Sequence, residues 1–224
     1  MSKKGDAILT SILDIAIFGI VLMSILMMYF GPNAALASQG IALFKYYTTE
    51  SNALLGLIAL VCFPLDLMVA LGKRDHVEKE LLVLLHVGNT ATTLTFLTVV
   101  AFLGPTMGYG AMYAGANLFL HLVTPLLGLC RFLFFGRSTN PMKAKESLIG
   151  ISTMVLYGIV YMINVFAHDG FGQVEYDWYG FGSGGPVMAV VSFFLVLIGT
   201  ALIAIGCHFA RVGIQKSLSR RKNE

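Results

Sequence analysis

Polar side chains recur at helical spacing inside four otherwise apolar stretches of this sequence. Positions three, four and seven residues apart share one face of an α-helix, so each set forms a stripe. Polar groups at membrane depth are costly and usually face a bundle interior, so the simplest arrangement directs all four stripes at one shared interior. The stripes are Thr48, Ser51 and Asn52; His86, Asn89, Thr90 and Thr93; Asn117, His121 and Thr124; and Tyr157, Tyr161, Asn164 and His168.

The threonines and histidines of these stripes place different demands on their surroundings. A threonine hydroxyl can donate to a carbonyl of its own helix, so interhelical and local hydrogen bonding explains Thr90 and Thr93. A neutral histidine needs two partners in an apolar medium, and His86 and His121 both lie well inside apolar runs. These two histidines are therefore candidates for a functional site, with interhelical hydrogen bonding as the alternative.

The apolar stretches are long enough to cross a bilayer. Of the 224 residues 57% are hydrophobic and 12% are charged, whereas a soluble domain is about 25% charged. A span needs about 20 apolar residues, and backbone groups in lipid must pair within their own helix. The sequence therefore predicts an all-α polytopic membrane protein in which residues 1–224 form a single bundle of six transmembrane helices, at about 6–30, 47–71, 81–103, 111–135, 148–166 and 186–210.

Basic residues predict the orientation of this bundle. They concentrate before span one, between spans two and three, around the loop between spans four and five, where Arg131 lies, and in the tail 210–224. The loops on the opposite side contain one basic residue, Lys45. The positive-inside rule therefore predicts a cell-membrane protein with cytoplasmic termini. We expect the tail to contact anionic lipid headgroups rather than nucleic acid. The first apolar run is longer than a cleaved signal, so we expect it to be retained.

Two carboxylates and one loop stand out from the spans. Asp14 lies inside span one and needs a partner, such as a histidine or an amide, whereas Asp66 is expected to be interfacial and structural. Loop 168–185 is rich in glycine and in aromatic residues, which commonly lie at headgroup level. We expect this loop to pack over the outer mouth of the bundle, either as a partly embedded segment or as a substrate lid.

Two short motifs resemble a known family. Residues 44–52 read FKYYTTESN and residues 117–125 read NLFLHLVTP. Together they resemble the androgen-induced family of multi-spanning membrane hydrolases and related bacterial six-span proteins of unassigned role. The Ser51-Asn52 ending is more similar to the bacterial relatives. The resemblance implies hydrolysis of lipid esters, such as fatty acid esters of hydroxy fatty acids, with Thr48 as nucleophile and His121 as base.

The implied chemistry is physically coherent. A threonine hydroxyl needs an adjacent base, and a neutral histidine supplies one within hydrogen-bond reach. A developing oxyanion needs donors, for which Asn52, Asn89 and Asn117 are candidates. A lipid ester can enter sideways from the bilayer, and no cofactor is required. The full set of candidates for binding the substrate or the oxyanion is Ser51, Asn52, His86, Asn89, Asn117, Tyr157, Tyr161 and Asn164.

Other functions remain open from the sequence. A small-solute or ion transporter would use the stripes to line a polar path, with His86, His121 and His168 as relay groups. A metal site would combine the same histidines with a carboxylate, although neither HExxH nor CxxC spacing occurs. The dyad also depends on depth, because Thr48 can meet His121 directly only if span two begins near Gly40. A start at Tyr47 requires tilting or a broken helix.

Overall fold

The computed structural model describes residues 3–31, 40–76, 78–136 and 141–220, and within them the regular structure is helical, without strands. Six long helices dominate this part of the chain. They are α1 (Lys3–Phe30), α2 (Tyr47–Ala70), α3 (Lys79–Met107), α4 (Ala116–Phe134), α5 (Ala144–Ala167) and α6 (Pro186–Arg220). A 3₁₀-helix (Gly40–Lys45) precedes α2, and a short helix (Tyr109–Met112) lies between α3 and α4.

All six helices are long and apolar enough to cross a membrane, which confirms the predicted all-α six-helix bundle. Successive helices run in opposite directions, so α1, α3 and α5 begin where α2, α4 and α6 end. We call this the near end of the bundle, because α1 begins there and α6 ends there. The far end contains the start of α2, the short helix Tyr109–Met112 and loop 168–185.

The helix bounds differ most from the predicted spans at the start of α4 and at the end of α6. Helix α4 begins at Ala116 rather than near residue 111, because Gly108 and Gly115 have φ of 88° and 55° and interrupt the helix. Helix α6 continues ten residues beyond the predicted span to Arg220, since no proline interrupts the basic segment 211–220. The predicted tail therefore begins inside a helix.

Helix α3 is the central helix of the bundle. In its most apolar window 67% of the residues are buried, against 17% for α6. Its middle consists of small and polar residues, Gly88 to Thr93, all of them buried. Small residues allow neighbouring helices to approach closely in a membrane. Helices α2, α4, α5 and α6 pack around α3 for this reason.

Two π-helical turns widen the bundle helices, and each precedes a proline. The turn at Val99–Leu103 precedes Pro105, and the turn at Phe119–Val123 precedes Pro125. A proline has no N–H for the carbonyl four residues before it, which favours a local switch to wider hydrogen bonding. In α4 the carbonyl affected belongs to His121. The proline of the second motif therefore determines the backbone around the candidate base.

A cluster of three charged side chains, Asp14, Asp66 and Arg131, joins α1, α2 and α4 toward the near end of the bundle. Arg131 Nε donates to Asp14 Oδ1 at 2.9 Å, and Arg131 Nη2 donates to Asp66 Oδ2 at 2.5 Å. All three side chains are buried. This corrects one expectation, because the partner of Asp14 is an arginine and not a histidine or an amide. Asp66 and Arg131 belong to the same buried cluster. Burial is tolerated because each charge has a partner.

Candidate functional site

Thr48 lies in the first turn of α2, at the far end of the bundle. The helix begins at Tyr47, not near Gly40, because the 3₁₀-helix Gly40–Lys45 ends before an extended Tyr46. The Thr48 side chain is half-buried. Its backbone carbonyl accepts hydrogen bonds from the Ser51 hydroxyl at 3.1 Å and from Asn52 Nδ2 at 2.8 Å. Ser51 and Asn52 therefore organise the first turn of α2 around Thr48.

His121 lies in the middle of the π-helical turn of α4 and is buried. Its Nδ1 is 2.7 Å from the backbone oxygen of Met112, in the short helix at the far end. A carbonyl oxygen only accepts hydrogen bonds, so Nδ1 carries the hydrogen. The neutral ring then has its lone pair on Nε2. The carbonyl of Met112 thus orients the His121 ring and selects its tautomer.

Asn52 connects the backbones of the two motif regions. Its Nδ2 donates to the Thr48 carbonyl and, at 3.0 Å, to the carbonyl of Leu120, the residue before His121. With both amide hydrogens engaged, the atom of Asn52 without a hydrogen bond is the acceptor Oδ1. In this arrangement Asn52 supports the site geometry and has no N–H available for an oxyanion.

The later start of α4 brings His121 nearer to the beginning of its helix. His121 is the sixth residue of α4 and Thr48 the second of α2, so His121 lies about 6 Å further along its own helix than Thr48 does, at 1.5 Å per residue. Within the described residues no hydrogen bond joins the two side chains. Their direct meeting stays a prediction, and because α2 begins at Tyr47 it requires the tilting or the broken helix expected for that start.

Loop 168–185 packs over one end of the bundle, the far end, as the sequence predicted. Tyr161 OH and the backbone N–H groups of Gly172 and Gly182 donate to the buried carboxylate of Asp177, the last two at 2.8 Å. Asn164 Nδ2 donates to the Tyr176 carbonyl at 2.9 Å. Tyr161 and Asn164 therefore hold the loop in place. Their spacing in the polar stripe is equally compatible with this role and with substrate binding.

The same loop closes over the start of α2. The Tyr179 hydroxyl accepts the Tyr47 N–H at 2.7 Å, and Trp178 Nε1 donates to Tyr157 OH at 3.0 Å. Tyr157 in turn donates to the Lys45 carbonyl at 2.6 Å. Burial raises the pKa of Tyr179 to about 12, so its hydroxyl stays protonated. An aromatic cover thus lies directly above the residue that precedes Thr48.

The remaining predicted residues lie in different places. Asn117 is buried one turn before His121, and Asn89 is fully buried in α3. His86 Nε2 is 2.9 Å from the Ser147 carbonyl, so Nε2 carries the hydrogen and Nδ1 is the acceptor. His168 is exposed at the far end and stacks on Tyr176 with ring centroids 4.3 Å apart.

No group of three or more His, Cys, Asp or Glu side chains suited to a metal occurs in the part of the chain that the structure describes. The fold does not bring His86, His121 and His168 together. The described cysteines, Cys62, Cys130 and Cys207, are free thiols.

Six buried side-chain atoms lack a hydrogen-bond partner among the described residues. Each belongs to a predicted stripe, and most lie on α3. A buried polar atom without a hydrogen bond is costly in an apolar interior. Six such atoms on α2, α3 and α4 therefore indicate that the interior of the bundle is polar. They are Asn52 Oδ1, His86 Nδ1, Asn89 Oδ1, Thr90 Oγ1, Thr93 Oγ1 and Thr124 Oγ1.

Sequence reasoning missed two residues that shape this site. Met112 contributes only a backbone carbonyl, for which its side chain gives no signal. Asp177 lies in the glycine- and aromatic-rich loop, and no side-chain role was predicted for it. For Asp177 the surrounding glycines are the available signal, because a carboxylate that accepts backbone N–H groups needs turns in which they converge.

Fold and site together define a six-helix polytopic membrane protein with a histidine held in one tautomer and a loop that covers the start of α2. The chain matches no protein-family model, no curated protein and no solved structure.

Proposed function

We propose that this protein is an intramembrane hydrolase of lipid esters, such as fatty acid esters of hydroxy fatty acids, with Thr48 as nucleophile and His121 as base. The proposal includes residence in the cell membrane with both termini in the cytoplasm. It rests on the two motifs, on the tautomer of His121 and on the aromatic cover above α2.

The observation that carries the proposal is the hydrogen bond between His121 Nδ1 and the Met112 carbonyl. It leaves Nε2 as a proton acceptor in a buried setting, which is what a general base for a hydroxyl nucleophile requires. His86 has the same pattern, with Nε2 engaged by the Ser147 carbonyl and Nδ1 without a partner. His121 differs in lying within the second motif, next to Leu120, whose carbonyl is bonded to Asn52 of the first motif.

In the proposed reaction the Thr48 hydroxyl oxygen attacks the ester carbonyl carbon while His121 Nε2 takes its proton. The resulting imidazolium is stabilised by its Nδ1–H bond to the Met112 carbonyl and returns the proton to the leaving alcohol. Asn117, one turn from His121, is the candidate for a side-chain N–H near the developing oxyanion. Lipid-facing surface on α5 and α6 suits a substrate that arrives from the bilayer.

Substitution of either dyad residue tests the proposal. Thr48→Ala and His121→Ala should each lower ester hydrolysis by the reconstituted protein at least about a hundredfold. The double variant should be hardly slower than either single variant, because the two residues act as a unit. Thr49→Ala, at the adjacent buried position, and His76→Ala, in an exposed loop, are matched controls that should retain activity.

Thermal unfolding separates catalysis from folding in this experiment. Losses of activity that track the folded fraction would assign His121 a structural role. Full activity of Thr48→Ala would refute the dyad.

A transporter is the second candidate, and the Asp14–Arg131–Asp66 cluster favours it. Ionisable groups buried in membrane helices commonly mark ion or proton pathways. Ion flux into proteoliposomes, measured on the same preparations, distinguishes the two functions. Flux that Asp14→Asn abolishes, together with absent hydrolysis, would establish the transporter.

A further inference from the structure

Lys45 carries the only lysine or arginine charge in the segments that join the helices at the far end of the bundle. Within the described residues its Nζ forms neither an ion pair nor a hydrogen bond. The three hydrogen-bond donors of this ammonium are therefore not used by the protein. This is so although four carboxylates lie at the same end, those of Glu50, Asp169, Glu175 and Asp177.

Aromatic rings hold the ammonium in a defined place. Lys45 Nζ lies 5.3 Å from the ring centroid of Tyr46 and 5.6 Å from that of Trp178, which are cation–π distances. One hydroxyl fixes both sides of this contact, because Tyr157 OH donates to the Lys45 carbonyl and accepts from Trp178 Nε1. A ring face attracts a cation but supplies no countercharge, so the positive charge of Lys45 still lacks an anion.

Lys45 is also close to the proposed nucleophile. It is the last residue of the 3₁₀-helix and precedes Thr48 by three positions, so the two Cα atoms are at most about 11 Å apart. The aromatic cover contacts both places: Trp178 faces the ammonium, and the adjacent Tyr179 accepts the N–H of Tyr47. An alkyl chain of several carbons spans the distance from an anion at Lys45 to the first turn of α2.

We propose that Lys45 binds the free carboxylate of the substrate and so selects acidic lipid esters over uncharged ones. This deepens the proposed function and rests on it. In a fatty acid ester of a hydroxy fatty acid, one carboxyl group forms the ester bond that Thr48 attacks. The other, at the end of the hydroxylated chain, remains an anion that accepts charge-assisted hydrogen bonds from an ammonium. An uncharged ester offers Lys45 no such partner.

Two substrates that differ only in this carboxyl group test the proposal. They are a fatty acid ester of hydroxystearic acid and the same molecule with its free carboxyl methylated, both in phosphatidylcholine vesicles. The wild-type protein should have the higher kcat/KM for the free acid. Lys45→Met should lower the ratio of the two kcat/KM values about tenfold, mainly through KM, as for one lost charge-assisted hydrogen bond. Lys45→Arg keeps the cation and should restore most of the ratio.

The ratio is independent of how much of each variant is folded, because both substrates are measured on the same preparation. Lys73→Met is the matched control, since Lys73 is an exposed lysine at the near end, and it should keep the wild-type ratio. An unchanged ratio in Lys45→Met would overturn the proposal and leave Lys45 as a contact for phospholipid phosphate groups. An equal fall in Lys73→Met would overturn it too, as an effect of net charge.

Binding of hydroxystearic acid and of its methyl ester gives a test that needs no activity. In calorimetry the wild-type protein should bind the acid about tenfold more tightly than the ester, and Lys45→Met should remove this preference while Lys73→Met retains it. Equal affinities in the wild-type protein would overturn carboxylate recognition. A wild-type protein that hydrolyses neither ester refutes the proposed function, whereas the binding preference alone still decides the role of Lys45.

Discussion

At the scale of single residues, the structure separates side chains that hold the bundle from those available for chemistry. Tyr157, Tyr161 and Asn164 share a stripe with the same spacing as the other three, yet their hydrogen bonds go to Lys45, Asp177 and Tyr176. His121 has one ring nitrogen engaged by a backbone carbonyl and the other without a hydrogen bond among the described residues. The difference lies in partners, which spacing does not encode.

Arg131 offers a test of the buried charges. Arg131→Met leaves Asp14 and Asp66 as unpaired buried carboxylates, so we expect it to lower the free energy of unfolding by about 3–5 kcal/mol. Adding Asp14→Asn should restore part of that loss, because one unpaired charge is removed. Arg74→Met is the control: Arg74 pairs with Glu78 at a partly exposed position, where such pairs contribute about 0–1 kcal/mol. Equal losses for the two arginines, measured by thermal or denaturant unfolding, would contradict this account.

At the scale of elements, irregular backbone positions the site. The short helix Tyr109–Met112 supplies the carbonyl for His121, the π-helical turn exposes the Leu120 carbonyl to Asn52, and loop 168–185 covers the start of α2. Regular helices present the polar stripes, but the breaks between them determine which stripe residues meet.

Pro125 is expected to maintain the turn that carries His121. Pro125→Ala restores an N–H for the His121 carbonyl, so α4 should become regular and the segment before residue 121 should rotate by about 100°. The His121–Met112 hydrogen bond is then lost, and ester hydrolysis should fall with little change in melting temperature. Pro105→Ala makes the same change at the π-helical turn of α3 and should leave activity intact. Unchanged hydrolysis in Pro125→Ala would show that the turn is dispensable.

Asp177 is expected to organise the loop cover. Asp177→Asn weakens the acceptor for Tyr161 OH and the Gly172 and Gly182 N–H groups, so amide hydrogen exchange in loop 168–185 should accelerate about tenfold or more. Exchange in α3 should not change. Asp169→Asn, at an exposed position of the same loop, is the control and should exchange as the wild type does. Equal exchange rates in Asp177→Asn and Asp169→Asn would show that contacts other than those of Asp177 hold the loop.

At the scale of the whole molecule, the arrangement is that of a membrane bundle. The most polar helix, α3, is central and the most apolar, α6, is peripheral. A soluble protein has the opposite arrangement, with apolar residues inside and polar residues outside. The apolar surface of this bundle suits hydrocarbon as the surrounding solvent.

The even number of spans predicts that both termini lie on one side of the membrane, and the basic residues predict that this side is cytoplasmic. A reporter fused after Glu224 should therefore read as cytoplasmic, and one inserted at the exposed Glu175 of loop 168–185 as external. Either opposite reading would refute the assigned orientation. Two opposite readings together would leave the bundle correct but inverted.

The sequence by itself determined the class of fold and the set of polar residues. Hydropathy and helical spacing are local properties, so six spans and four stripes follow from the order of residues along each helix. The π-helical turn of α4 was also encoded locally, in Pro125. Thr48 and His121 were singled out as nucleophile and base in another way, through the resemblance of two short motifs.

Tertiary packing alone decided which distant residues meet. The Arg131 guanidinium binds Asp14, 117 positions away in the chain, Asn52 binds the Leu120 carbonyl across 68 positions, and Tyr179 reaches Tyr47 across 132. Such contacts depend on helix order, rotation and relative depth, which spacing within one helix leaves undetermined. The tautomer of His121 belongs to this group, because it is selected by a carbonyl whose position depends on how a short helix folds back over the far end.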